Sequence, residues 1–135
     1  MSTEKDLQQL LKAMSPELLA GDYVFCSLPL ANYGDYATTK PIASFQEAEG
    51  LSLVMLEEMA KDHQLDYQGL YRCISLRVHS SLEAVGLTAK IATKLREKGI
   101  SANVIAAYFH DHIFVPSARA KEALSALLEL SDEDG

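Results

Sequence analysis

The stretch from Leu76 to Leu130 constrains the fold more than any other part of the chain. In order it reads LRVH, SSLEAVG, LTAKIATKLREKG, ISANVIAAYF, HD, HIFVP and SARAKEALSALLEL. The first, fourth and sixth pieces are rich in β-favouring residues, whereas the third and last carry apolar residues at helical spacing. The pattern predicts strand, glycine-ended loop, helix, strand, tight turn at His110-Asp111, strand, helix. Such a βαββα order closes when the strands form an antiparallel sheet and the helices cover one face.

The two helices are legible from their stripes. Over 87–98, Leu87, Ile91 and Leu95 recur every four residues with Ala92 beside them. Lys90, Lys94, Arg96 and Lys98 crowd the C-terminal part, where they complement the helix dipole, and Gly99 follows as a C′ residue. The last helix is expected to bury Ala120, Leu124, Leu127 and Leu128. Upstream, residues 3–14 read as a helix with Leu7, Leu10, Leu11 and Met14 on one face and a capping-box-like Thr3/Asp6 pair. DYVFCSLPL is a strand stopped by Pro29, and residues 31–41 form a turn-rich loop with Gly34 and two tyrosines. IASFQEAE and LSLVML, joined at Glu49-Gly50, predict a β-hairpin. A short helix from Glu57 to His63 follows, and after a loop at Asp66 to Gly69 comes the strand YRCISLRVH. The acidic tail SDEDG, lacking apolar residues, is expected to be disordered.

Composition narrows the function classes. With 135 residues and 48% hydrophobic content, the chain suits one compact domain or two small units. A formal charge of −7, with no Arg/Lys cluster interleaved with aromatics, argues against nucleic-acid binding. No apolar run reaches the roughly 20 residues of a membrane span, and the polar start MSTEKDLQQ is not a secretory signal. These features predict a cytoplasmic protein that binds neither nucleic acid nor membrane. Cys26 and Cys73 each sit in an apolar strand-like run and read as reduced, buried residues.

The run from Leu76 to Pro116 resembles an ACT domain, the regulatory module of many amino-acid-metabolising enzymes. The segments that carry the likeness are SLRV, SSLEAVGLT, KLREKGI and SANVIAAY. The whole chain is similar to a small bacterial ACT subfamily in which a shorter ACT-like half precedes the recognisable one; DYVFCSL, ASFQEAEGLSLVM and VHSSLEAVGLTA suggest this. The resemblance implies an α+β, ferredoxin-like (ACT-type) antiparallel sheet with helices on one face, built from two ACT-like halves. Boundaries then fall at an N-terminal helix 1–14, an abbreviated ACT-like half 15–72, an ACT domain 73–130 and the tail 131–135. Unpaired sheet edges in such a unit would be covered by pairing, so at least a homodimer is expected.

The resemblance also implies a ligand place, because in the family the loop after the first strand supplies backbone contacts and the start of the second strand faces it. Carried over, these positions are His79, Ser80, Ser81, Leu82, Glu83, Val85, Gly86 and Leu87, with Asn103, Val104 and Ile105. The family loop commonly runs Asp-x-Pro-Gly, whereas here it is Glu83-Ala84-Val85-Gly86, so only the glycine and the following leucine match. Independently, the first turn of the helix at 87 leaves N–H groups without intrahelical partners, which favours a carboxylate. Gly86 lets backbone approach a ligand closely, and Asn103 offers a donor and an acceptor to an α-amino-acid head group. The competing explanation is structural: Ser80 and Glu83 as a capping box, Gly86 easing a turn, and Asn103 merely opening a strand.

No catalytic constellation is visible. His79 and Ser80 are adjacent on an extended segment and face apart, and there is no G-x-S-x-G elbow, Walker loop or G-x-G-x-x-G. His110, Asp111 and His112 are formally metal ligands, but a turn through them would break the shared direction a site needs, and exposed hairpin polarity is the commoner reading. No cofactor is called for. The expected function is non-catalytic binding of a small molecule, an amino acid, at the 79–87 loop and the 103–105 edge. The alternatives are a protein-interaction module without a small ligand and, more remotely, a histidine-dependent metal enzyme.

Overall fold

A computed structural model describes residues 4–77 and 86–132. Contacts divide the chain into two units: residues 21–71, and residues 1–20 together with 72–135.

The second of these holds α1 (Glu4–Ala13), β1 (Glu17–Leu18), β5 (Tyr71–Arg77), α3 (Leu87–Glu97), β6 (Asn103–Ala106), β7 (His110–Pro116) and α4 (Ala120–Asp132). Its strands lie in the order β1-β5-β7-β6. β1 runs antiparallel to β5 with Glu17 opposite Ser75 and Leu18 opposite Ile74. β6 runs antiparallel to β7, from Asn103 opposite Phe114 to Ala106 opposite Asp111. Two backbone hydrogen bonds extend the β1 attachment, Leu19 N–H to Cys73 O (2.9 Å) and Arg77 N–H to Met14 O (2.6 Å). Alternation along β5 and β7 turns Ile74, Leu76, Ile113 and Val115 toward the helices, where Leu11, Met14, Leu87, Ile91, Leu95, Ala123 and Leu127 complete one core. Fully burying each Leu or Ile there contributes roughly 1.5–3 kcal/mol relative to exposure.

The buried stripe of α4 is richer in alanine than expected. Ala120, Ala123, Ala126, Leu127 and Leu130 are buried, whereas Leu128 is 43% exposed and Leu124 only packs at the margin. Small side chains let α1 and α3 approach α4, so a stripe of alanines does what the leucine pattern was expected to do. α4 also continues through Ser131 and Asp132, the first residues of the segment expected to be disordered. The final two-residue turn shifts as well: β7 already begins at His110, so the bend lies at Ala107–Phe109, closed by Ala107 N–H to His110 O at 2.9 Å.

The other unit contains β2 (Tyr23–Leu28), β3 (Ala43–Glu47), β4 (Gly50–Leu56) and α2 (Glu57–Asp62). Its strands lie in the order β3-β4-β2, all antiparallel, and Tyr23 pairs with Tyr71. A separate core gathers Val24, Cys26, Leu51, Leu53, Met55 and Ala60, with Met59, Leu65 and Tyr67 against it. This unit follows the same strand–connection–strand–strand–helix order as the other. Its first connection, however, is a loop from Pro29 to Ile42 with one 3-10 turn at Ala37–Thr39 where the other unit has α3. The strands of both units pair antiparallel and carry helices, so the expected α+β, ferredoxin-like architecture in two halves is what the chain forms.

Candidate functional site

Of the expected ligand residues, His79, Ser80, Ser81, Leu82, Glu83 and Val85 lie outside the described residues. The described remainder begins at Gly86, the N-cap of α3, in the left-handed region at φ 99° and ψ −23°; a glycine there brings no side chain of its own to cap the helix. Its carbonyl accepts the Lys90 N–H at 2.9 Å, the first bond of the helix ladder. The amides of Leu87, Thr88 and Ala89 precede that bond and have no partner within the helix. The Leu87 side chain is buried in the core, so only its backbone is available to a ligand, while Thr88 and Ala89 are exposed.

At β6, Asn103 is exposed, Val104 leans on the core, and Ile105 is half-buried opposite His112. An asparagine at a strand start with its side chain in solvent retains its donors and acceptor for a ligand. At the other end of α3, the Arg119 guanidinium donates to Lys98 O (3.0 Å) and Gly99 O (3.3 Å), and to Glu122 at 2.6 and 3.1 Å. Those bonds satisfy the carbonyl end of the helix and tie it to the start of α4. Glu122 is held below its usual carboxylate range by that guanidinium, and Glu129 by Lys94 and Lys98.

His110 and His112 share one face of β7, with ring centroids 6.3 Å apart, because the strand runs through them. His110 Nδ1 lies 3.0 Å from Ser75 Oγ. Asp111 points to the opposite, buried face, where desolvation raises its pKa and nearby His112 lowers it by less. The three residues therefore do not converge, and among the described residues no group of three His, Cys, Asp or Glu is placed to hold a metal. Cys26 and Cys73 are free and buried, and burial pushes the Cys73 thiol up to about 12.

The unit of residues 21–71 carries a feature read in the sequence only as a strand end and a loop. Leu28, Pro29, Leu30, Ala31, Asp35 and Tyr36 line an open depression of about 610 Å³. The loop is braced from within: Asn32 N–H donates to Asp35 Oδ2 (2.8 Å), and Asp35 N–H to Asn32 O (2.9 Å). From β3, Gln46 accepts the Tyr33 N–H at 2.6 Å and donates to Ala31 O at 3.4 Å. Tyr36 and Lys40 hold left-handed backbone, at φ 63° and 50°, on either side of the 3-10 turn. The sequence signal for this site was the pair of tyrosines in a Pro/Gly-bounded loop.

Two family models, both described as ACT domain, match residues 2–72 and 69–129. A solved protein of unknown function from Vibrio cholerae, described as a possible transport protein, is 55% identical, with 95% of this chain and 98% of that chain covered at a TM-score of 0.84. A protein from Agrobacterium tumefaciens is 18% identical over 86% of this chain and 87% of its own, at a TM-score of 0.70. The regulatory subunit of aspartate kinase from Thermus thermophilus, in its ligand-free form, is 12% identical over 87% and 97%, at 0.64. No curated protein matches the chain.

Proposed function

Since the chain belongs to the ACT-domain family, a family of regulatory modules, we propose that it is a non-catalytic sensing protein that binds an amino acid where the backbone enters α3. The observation that carries this reading is the helix start at Gly86: a left-handed glycine without a side chain to cap the helix itself, and exposed positions Thr88 and Ala89 following it. An α-carboxylate matches the N–H groups and positive dipole end there, and Asn103 with the 104–105 backbone would take the rest of the head group. His79 to Val85 belong to the same proposed contact surface. The working form is a cytoplasmic homo-oligomer, at least a dimer, without cofactor, metal, nucleic-acid or membrane partner. Among the described residues no helix is long and apolar enough to cross a membrane.

Thermal unfolding measured with each of the twenty amino acids tests this. A ligand at about 100 times its Kd stabilises the folded state by about 2.7 kcal/mol. A few amino acids should raise the Tm clearly, and Gly86→Val should remain folded yet lose the response. A Tm indifferent to all twenty, or equal shifts in wild type and variant, overturns the reading.

A further inference from the structure

The depression beside the 28–36 loop lies in the unit that holds most of the charge. Residues 21–71 contain eight Asp and Glu against Lys40 and Lys61 alone, so −6 of the chain's −7 falls there. Asp35 is part of the depression wall. The β3–β4 turn abuts it just after Glu49: a Cβ placed on Gly50 would come within 2.6 Å of Leu28 O and Pro29 Cα. Glu47 accepts a hydrogen bond from Ser52. Neither the 28–36 loop nor the 46–50 turn contains a Lys or Arg.

Beside these carboxylates stands an uncovered apolar surface. Leu30 is 97% exposed and Tyr33 77% exposed, and Tyr36 is exposed too. Leu30 and Tyr36 share the walls of one depression with Leu28, Pro29 and Ala31, and apolar surface gathered in this way marks interaction sites. Small-molecule sites enclose most of their ligand, whereas this depression is open and Leu30 projects from it. An extended chain segment suits that shape better. We propose that the depression formed by Leu28–Ala31, Asp35 and Tyr36 docks a basic segment of a partner protein, a Lys or Arg flanked by apolar residues. The aliphatic stem would lie on Leu28 and Pro29, the cationic head against Asp35 with Glu49 nearby, and the tyrosine faces beside it. This proposal does not depend on amino-acid binding at the α3 entry.

Acetylated, amidated hexapeptides carrying one Lys or Arg between Leu or Phe residues, with Glu-substituted counterparts as controls, provide the probe. Titrated into ¹⁵N-labelled protein, at least one basic peptide should shift amides of 28–36 and 46–50 saturably, and the acidic counterparts should not. Leu30→Ser, fully exposed and harmless to the core, and Asp35→Asn, which keeps an acceptor for Asn32, should each weaken binding at least about fivefold. Raising NaCl from about 50 to 300 mM should weaken it several-fold as well. Absence of a saturable response to every basic peptide overturns the proposal, as does binding insensitive to both variants. Shifts of the same amides caused by free lysine or arginine make it a small-molecule site instead. Shifts that grow with protein concentration alone make the occupant a second copy of the chain.

Discussion

At the residue scale, Gly34 and Gly50 hold left-handed backbone, at φ 97° and 138°, under different local constraints. No atom stands within 4 Å of a Cβ built on Gly34, whereas one on Gly50 would meet Leu28 O and Pro29 backbone at 2.6–2.7 Å. Gly34→Ala should therefore cost only the backbone term, about 1–2 kcal/mol. Gly50→Ala adds displacement of backbone and should cost about 2–4 kcal/mol. Urea unfolding of the two variants separates the terms, and equal losses would contradict the close packing of the turn on Pro29. The buried carboxyl of Asp111 supplies a pH dependence of its own. Its pKa is raised above the ordinary value of 3.8, so the folded state binds its proton more tightly than the unfolded chain does. Its contribution to stability is full below about pH 3.8 and is lost as pH climbs through the raised value. Asp111→Asn should raise the Tm at pH 7 and flatten the Tm between pH 4 and 7; a lower Tm at pH 7 would mean the charge is favourably held.

At the scale of elements, hydrophobic spacing found the four α-helices among the described residues and the β2 and β4 strands, which bury one face; β3 was legible from its alternation although none of its residues is buried. Spacing misjudged which side chains the buried face of α4 contains. Leucine is the larger hydrophobe, but an interface between close helices selects by volume, and there Ala123 and Ala126 fit where leucines would not. Ala123→Leu should destabilise by about 1–3 kcal/mol, while Leu128→Ala, half in solvent, should change stability by less than about 0.5 kcal/mol. Chemical denaturation reads both, and the reverse ranking would restore the leucine stripe. The hairpin between β6 and β7 was misplaced for a related reason. His110-Asp111 has turn-like polarity, yet Asp111 pairs with Ala106 and His110 O accepts the Ala107 N–H, which makes it strand, and the apolar pair Tyr108-Phe109 takes the exposed bend. The two-residue β1 carries too little pattern to be read at all, and its strand character comes from pairing with Ser75 and Ile74.

At the scale of the whole molecule, two ACT-like units were legible through the resemblance of DYVFCSL, ASFQEAEGLSLVM and VHSSLEAVGLTA to the family, and both halves match ACT-domain models. Less legible was that residues 1–20 belong by contact with the second unit, since long-range association leaves no local signature. The depression at 28–36 was hidden for the same reason: a loop replacing a helix looks like any turn-rich segment until its walls are assembled. Sedimentation of the 14.8 kDa chain should give at least twice the monomer mass, and a monomer at all concentrations would remove the oligomer from the proposed function. The most direct test of amino-acid sensing is an amide-resolved NMR titration of ¹⁵N-labelled protein with the amino acid that stabilises it most. Saturable shifts centred on Gly86, Leu87, Thr88, Ala89 and Asn103–Ile105 are predicted. Shifts confined to other parts of the chain, or none at millimolar ligand, would contradict it.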